Sequence, residues 1–478
     1  MTPGWVRSRT TLLFRERRAL GMRARKQMPR SEQARLKLAA CPQDPLALLS
    51  ASMQGRVDDL IAVKYERMMG SPFGFFRGAV PIMAGDLAAH PHSGILTQLC
   101  GDAHVLNLGA FAALDGRLVF DINDFDETIQ GPFEYDVKRL AASLILAGRE
   151  TAIKRSARHE AVLHFLGQYR SWMHRFAAMP VLELAHYQIH RLARIEPMPE
   201  ILAQAMRSTP GKILESLTEP EVDGVGSEKL GRRSAQKRTA MAGGLRIFRS
   251  NPPLLERLKD REAGAVVAAL GPYALTLQPE RQHFLGQYCP QDVAFKVVGT
   301  GSVGLRDYVV YFEGLSRPHG TDPLFLQIKQ ETASAYARYL LQGSGHSHQG
   351  HRVVDGQRVM QLTSDPFLGY TSLEGRDYLV RQLDDHKAGL DLNDLTPTSL
   401  MGYADVCGEV LSRGHARAGD PVAIAAYLGS SDRFDEAVLR FAHAYADKTE
   451  RDWSLLKRRI APRRRGSGVA AKKRQGRA

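Results

Sequence analysis

Apolar positions Leu46, Leu49, Met53, Val57, Leu60, Ile61 and Val63 recur at intervals near three and four, the period of one helix face, so residues from about 31 to 70 read as helix. The period breaks at Ser71-Pro72-Phe73-Gly74-Phe75-Phe76-Arg77-Gly78, where proline and glycine punctuate a run of aromatics, and a packed connecting loop is expected. From Leu96 to Thr128 the pattern is a short strand, a polar loop and a hairpin, with arms Leu106 to Leu114 and Arg117 to Ile122 about a turn at Asp115-Gly116. Helical spacing returns from Phe133 to about Arg194, in Leu140, Ala141, Leu144 and Ile145 and again in Val162, Leu163, Phe165 and Leu166. Residues 195 to 285 show no dominant period and contain a polar linker, Glu219 to Lys237, and a turn at Asn251-Pro252-Pro253.

Beyond Asp292 the texture is β-branched and aromatic. Strands are expected at Val293 to Val298, Asp307 to Phe312, Leu324 to Lys329 and Tyr378 to Leu383, with a helix near 350 to 363 before the last. Helix resumes from about 395 to 457, as in Ala404 to His415 and Phe434 to Leu456. The fold class is therefore α+β: a small sheet-rich module flanked by helical material, with no internal repeat.

Composition narrows the class. Hydrophobic residues are 44% and charged residues 24% of 478, the balance of a folded enzyme and not of a disordered chain. The formal charge of +14 favours anionic partners, but much of it lies in end runs such as Arg7 to Lys26 and Arg463 to Arg477, which read as solvated tails more than as a nucleic-acid patch. Cys41, Cys100, Cys289 and Cys407 are scattered, without metal-ligand spacing, which suits a reducing cytoplasm. No long apolar run or signal-peptide pattern appears, so neither export nor a membrane partner is expected.

Two constellations carry chemistry. In Cys100-Gly101-Asp102-Ala103-His104-Val105-Leu106-Asn107, Asp and Asn stand five apart after a strand, the spacing with which kinase catalytic loops combine a base and a magnesium-holding amide. The strand Leu118 to Ile122 then runs into Asn123-Asp124-Phe125-Asp126, so that Asp121, Asp124 and Asp126 crowd a strand end, where a hard cation such as Mg²⁺ would relieve their repulsion. The second constellation is Gly299-Thr300-Gly301-Ser302-Val303-Gly304 between two strands. A dinucleotide site would need a helix after the last glycine, whereas a strand-loop-strand hairpin suits a loop that covers phosphates. The following strand ends in Lys329, the position of a kinase nucleotide-binding lysine, with Glu331 and Asp355 as candidate acid partners. Arg77, within its aromatic segment, is a candidate phosphate clamp.

Gly101-Asp102 to Asn107, then Asp124-Phe125-Asp126, then Gly131-Pro132-Phe133-Glu134-Tyr135-Asp136 resembles the aminoglycoside and choline phosphotransferase branch of the protein-kinase-like superfamily. The resemblance implies Asp102 as catalytic base, Asn107 and Asp124 as metal ligands with Asp126 or Asp121 sharing that role, and Asp136 as an acid that steadies the loop from a helix start. Cys100 stands where that family usually has His, and the hairpin between Asn107 and Asp124 is a few residues longer. The glycine loop follows the catalytic loop here by nearly two hundred residues, whereas ordinary kinases have the reverse order; a circular permutation reconciles the two. Arg413-Gly414-His415-Ala416-Arg417 resembles the Leu-His-Ala helix that normally precedes the catalytic loop.

The chain as a whole also resembles a bacterial family, domain of unknown function 2252. It does so through Ser71-Pro72-Phe73 to Phe76-Arg77-Gly78, Asn123 to Glu127, Val298 to Gly304, Arg352-Val353-Val354-Asp355-Gly356-Gln357-Arg358, and His415-Ala416-Arg417 with Gly419-Asp420.

The organisation expected is a basic tail (1–30), a helical lobe with catalytic loop and metal hairpin (31–285), a sheet-rich nucleotide-binding lobe (286–390), helices completing the helical lobe (391–460) and a second basic tail (461–478). The expected activity is ATP- and Mg²⁺-dependent transfer of the γ-phosphoryl group to a hydroxyl. Asp102 and Lys329 act in catalysis, and Gly299, Thr300, Gly301, Ser302, Val303, Gly304, Lys329 and Arg77 bind the nucleotide. The acceptor is left open. AMP transfer on the same scaffold, or a nucleotide- or nucleic-acid-binding module without catalysis, are the alternatives.

Overall fold

A helix that shows no face to solvent over most of its length forms the centre of the molecule. Every residue from Glu134 to Gly148 of the helix Glu134–Glu150 is buried, so it must be surrounded, and Arg155–Ala178, Pro397–Ala418 and Arg433–Ile460 pack about it and one another in one core drawn from both ends of the chain. Thr396 and Ser399 start the Pro397–Ala418 helix with a reciprocal cap, each backbone amide donating to the other's hydroxyl at 3.1 and 2.8 Å. In this computed structural model residues 12–36, 44–113, 115–189, 192–221, 246–314, 321–340, 345–383 and 387–460 are described. Cys41, most of the linker expected at 219–237, Arg7, Arg9 and the basic run from Arg463 lie outside them.

The fold is mixed α+β with small antiparallel sheets. The largest has six strands in the order Gly369–Leu373, Arg376–Gln382, Pro323–Glu331, Asp307–Gly314, Tyr288–Lys296, Leu255–Arg257, each antiparallel to its neighbour. Alternation along Pro323–Glu331 sends Leu324, Leu326 and Ile328 against the helix Asp260–Ala274. It turns Phe325, Gln327, Lys329 and Glu331 to the other face, where Phe325 packs on Phe248 and Tyr311 and the last two look toward the helical core. The hairpin Leu108–Ala112/Leu118–Ile122 pairs with Ala388–Gly389, and Leu96–Leu99 pairs with Ile129–Pro132. The helix Gln349–Met360 joins the two regions: a Cβ on Gly350 would meet Tyr378 O at 2.2 Å, and one on Gly356 would meet Thr128 Oγ1 at 2.3 Å. Only glycine lets both surfaces come so near.

Three expectations are corrected. The helix expected over 31 to 70 is broken: Pro45–Ala51 and Asp58–Gly70 are separated by a turn in which Gly55 has φ +78°. The segment expected as a loop at 71–78 is the helix Pro72–Gly78, begun by Ser71 Oγ accepting from Gly74 N at 2.9 Å with proline in the first turn, and it buries Phe73, Phe75 and Phe76. The N-terminal tail contains a docked helix, Phe14–Gln27, which packs on Pro421–Leu428 and pairs Arg17 with Asp420 at 2.8 Å. Gly21 makes that docking possible, since a Cβ there would lie 2.1 Å from Ala423 O.

Gly21→Val should therefore force the helix off its seat at a cost of about 1–3 kcal/mol. The expected result is a lower Tm with faster tryptic cleavage among Arg15 to Lys26; unchanged cleavage would show that the contact does not hold the helix.

Candidate functional site

The strand Leu96–Leu99 ends in a loop bound from within the core. Asp136, fully buried near the start of its helix, accepts from Cys100 N at 2.8 Å and Gly101 N at 3.0 Å, and its Oδ2 lies 3.3 Å from His415 Nε2. The other His415 nitrogen meets Tyr169 Oη at 2.8 Å. Gly101 has φ +85°, and a Cβ there would stand 2.2 Å from Glu127 O, so both the turn and the approach of the next acid loop require glycine.

The turn delivers Asp102 to Arg139, whose fully buried guanidinium donates from Nε to Oδ1 at 2.7 Å, stacks 4.2 Å from the Phe76 ring centroid and donates to Phe76 O at 3.1 Å. Burial pushes the Asp102 carboxyl up to about 6; Arg139 opposes the rise, and the charges of Asp124 and Glu127 add to it. His104 Nδ1 accepts from Leu106 N at 3.1 Å, which leaves the proton on Nε2, 3.7 Å from Asp102 Oδ2. Burial, with Arg77 and Arg139 nearby, holds that imidazole neutral. Asn107 Nδ2 donates to Asp102 O at 2.8 Å, which leaves its side-chain oxygen for another partner.

The second acid loop meets the sheet through Lys329. Its Nζ lies 2.6 Å from Asp126 and 3.7 Å from Asp124 Oδ1. Burial alone would neutralise the lysine, but Asp124, Asp126 and Glu331 raise its pKa above the ordinary value. The two aspartates behave as one unit: burial opposes charge on both. Lys329, with a bond from Asp126 and the charge of Arg381, holds Asp124 below the usual carboxylate range, whereas burial and the Asp124 charge push Asp126 up to about 6. Arg352 fixes the loop's backbone, donating to Thr128 O at 2.5 Å and to Asp126 O and Thr332 O at 2.8 Å each. Glu331, buried beside this pair, has Oε1 without a partner among the described residues, and burial raises its pKa well above normal.

The glycine bend is held by its carbonyls. Arg56 donates to Val303 O at 2.5 Å, Lys64 to Thr300 O at 3.1 Å and to Gly301 O, Arg67 to Gly299 O, and Val57 N to Gly304 O at 2.7 Å. The amides of Thr300, Gly301 and Ser302 donate to no acceptor among the described residues. Burial depresses the Lys64 pKa well below normal, aided by Arg56 and opposed by Glu127 and Asp102.

These parts enclose one cleft of about 450 Å³, within the range of small-molecule sites. Of the residues singled out in the sequence, Arg77, Asp102, Asn107, Asp124, Asp126 and Gly299 to Ser302 line it, and Lys329 reaches its wall through Asp126. Val303 is instead buried in the protein, and Gly304 turns the chain at φ +89°. Asp121 is the clear correction. It is buried on the strand Leu118–Ile122 against Arg413 at 2.6 Å while accepting from Ile122 N at 2.9 Å and Leu362 N at 3.1 Å, and it does not line the cleft. Asp355 is not the acid partner of Lys329; it faces His346 and His351. Arg139, His104, Lys64, Arg56 and Glu127 were not anticipated. Arg139 had a signal, since a charge inside the apolar run Val137 to Leu146 must find a partner.

A family model described as "uncharacterized protein conserved in bacteria (DUF2252)" matches residues 56–459. The chain belongs to this family. No curated protein and no solved structure matches it. The DUF2252 match runs from Arg56, which donates to the glycine bend, to residue 459 in the last helix, and so spans every element that lines the cleft apart from Leu48 to Gln54. No helix among the described residues is long and apolar enough to cross a membrane.

Asp307, paired in register with Lys329, lies where the strand leaves the glycine bend. Gln327 Nε2 donates to its Oδ2 at 2.7 Å, Oδ1 has no partner among the described residues, and burial pushes the carboxyl up to about 7 against Lys329. From the ordinary value of 3.8 to about 7 the folded chain keeps a proton that the unfolded chain has lost, so this group's stabilisation falls as pH rises through that window. Asp307→Asn should escape the loss. Denaturant titrations at pH 5 and pH 8 should show its stability gaining on the natural chain by about 2–3 kcal/mol between the two; a pH-independent gap would refute the assignment.

Proposed function

We propose that this cleft is the phosphoryl-transfer site of a kinase-like enzyme that moves the γ-phosphoryl group of ATP to a hydroxyl. The observation that carries the reading is the convergence of Asp102, Asn107, Asp124 and Asp126 with the glycine bend and Lys329, from segments some two hundred residues apart, around one cleft. The succession of parts supports it too. Protein kinases use a glycine loop between two strands, a lysine on the next strand, a helix, and a catalytic loop followed by a metal-holding Asp. Here the glycine bend, Lys329, the helix Gln349–Met360 and the strand Arg376–Gln382 follow in that order, with the Asp102 and Asp124 loops earlier in the chain, as a circular permutation requires. One part differs. In kinases a helix glutamate pairs with the lysine, whereas Lys329 is paired with Asp126 and Asp124, and the helix contributes Arg352 to the backbone of the acid loop.

The donor set suits magnesium: the Asn107 side-chain oxygen, Asp124 and Asp126 are hard oxygen ligands, and beside them lies a Glu331 oxygen without a hydrogen-bond partner among the described residues. Bound there, Mg²⁺ would neutralise charge on the phosphates. The chain's own groups do the rest. Asp102 takes the proton of the acceptor hydroxyl as its oxygen attacks the γ-phosphorus and the bond to the β-phosphate oxygen breaks, and a carboxyl raised to about 6 is a better base than an ordinary one. Arg139 and His104 hold Asp102 in place. Arg77 has a buried Nε without a partner among the described residues, and the free amides of Thr300 to Ser302 offer further donors for phosphate oxygens.

With γ-labelled ATP and Mg²⁺, label should pass to water or to members of a hydroxyl panel, and Asp102→Asn should reduce transfer by at least about 10²-fold while a nucleotide-dependent rise in Tm persists. Equal turnover in the variant would sink the assignment, and retention of an α-label on the product would mean AMP transfer instead. Because Asp102 must be ionised, kcat/KM should rise with pH and level off above about 6.

A further inference from the structure

A second cluster of ligating side chains lies outside the cleft. His346, in the turn before the helix Gln349–Met360, and His351 and Asp355, one helical turn apart on it, bring their ligand atoms within 4.8 Å of one another. Both imidazoles approach the same carboxylate oxygen, Asp355 Oδ2, through Nε2, at 2.8 Å from His346 and 3.4 Å from His351. The spacing His351 to Asp355 is the i, i+4 interval that sets two ligands on one helix face.

The rings are held from outside the cluster. The His351 ring stacks on Tyr370 at 4.6 Å with an interplanar angle of 19°. The turn between the two histidines is fixed by His348, whose Nδ1 accepts from His351 N at 3.1 Å and whose Nε2 lies 3.1 Å from Thr371 O. Part of each ligating side chain reaches solvent, with 30%, 42% and 42% exposure for His346, His351 and Asp355, so an ion has an entry path and room for water as a further ligand.

We infer that His346, His351 and Asp355 form a binding site for a divalent transition ion of the zinc class, with two imidazole nitrogens, one carboxylate oxygen and solvent completing the shell. Two imidazole nitrogens select this class over magnesium or calcium, which take oxygen ligands. The ion would staple the 345–348 turn to the first turns of the helix that carries Arg352, one residue beyond His351, whose guanidinium holds Asp126 O and Thr128 O. The site does not depend on the activity proposed for the cleft.

The test is titration of the full chain, free of any histidine tag, with Zn²⁺ against a chromophoric chelator, and with Co²⁺ read by its visible ligand-field bands. The expected result is one ion per chain, bound at least about tenfold more weakly in His351→Ala and in Asp355→Asn, with His164→Ala, an exposed histidine elsewhere, unchanged. The exposed positions make misfolding a minor risk, and a Tm equal to that of the natural chain in the absence of metal checks for it. Absence of binding, or binding that all three cluster variants including His346→Ala leave intact, would overturn the site.

Discussion

A carboxylate withdrawn from water must find donors, and here that requirement ties distant parts of the chain together. Asp136 is wholly buried and is met by two amides of the Asp102 loop and by His415, 279 residues further on. Leaving such a group unpaired would cost several kcal/mol, so the loop, the central helix and the Pro397–Ala418 helix must adopt their arrangement together. Asp121 and Arg413 repeat the logic two residues before His415 on the same helix, at 2.6 Å and equally buried. Each of the two acid loops is thus steadied by a side chain from the last third of the chain.

The same rule explains what could be read in the sequence. Strands were legible because alternation and β-branched residues mark them locally, and the observed Asp307–Gly314 and Pro323–Glu331 begin within a residue of their expected positions. The acid and glycine motifs were legible as loops bounded by such strands. Arg77 and its aromatics read as a loop in the sequence because glycine and proline usually break regular elements, whereas Ser71 caps and Pro72 starts a helix whose aromatic face then finds a core. Asp121 was misassigned because a count of carboxylates near a strand end ignores which face each occupies. Lys64 has no local signature of function, and the apolar run around Arg139 signals only that it needs a partner, not which one, since both partners lie more than thirty residues away.

The glycine bend shows how much of the site's state is electrostatic. Its carbonyls are taken by Arg56, Lys64 and Arg67, which come from the helix Asp58–Gly70 and the turn before it. A neutral carbonyl is a weaker partner for a buried cation than an anion is, and desolvation has already lowered the pKa of Arg56 to about 10 and that of Lys64 well below its usual value. These cations are therefore held by the best acceptors within reach, not by the best acceptors available to chemistry.

A polyanion entering the cleft would change that balance from both sides. Phosphate oxygens would compete for Arg77, for the free amides of Thr300 to Ser302 and for the cations now on the carbonyls, while an accompanying divalent ion would compete with Lys329 for Asp124 and Asp126. Neither exchange is favourable alone. The anion by itself meets Asp102, Asp124, Asp126 and Glu127, and the cation by itself meets Lys329 and Arg77 across the same space. Under the function proposed for this cleft, a metal-bound phosphate ester would keep the buried charges matched where neither component does alone, and that is the form in which nucleoside triphosphates enter phosphoryl transfer.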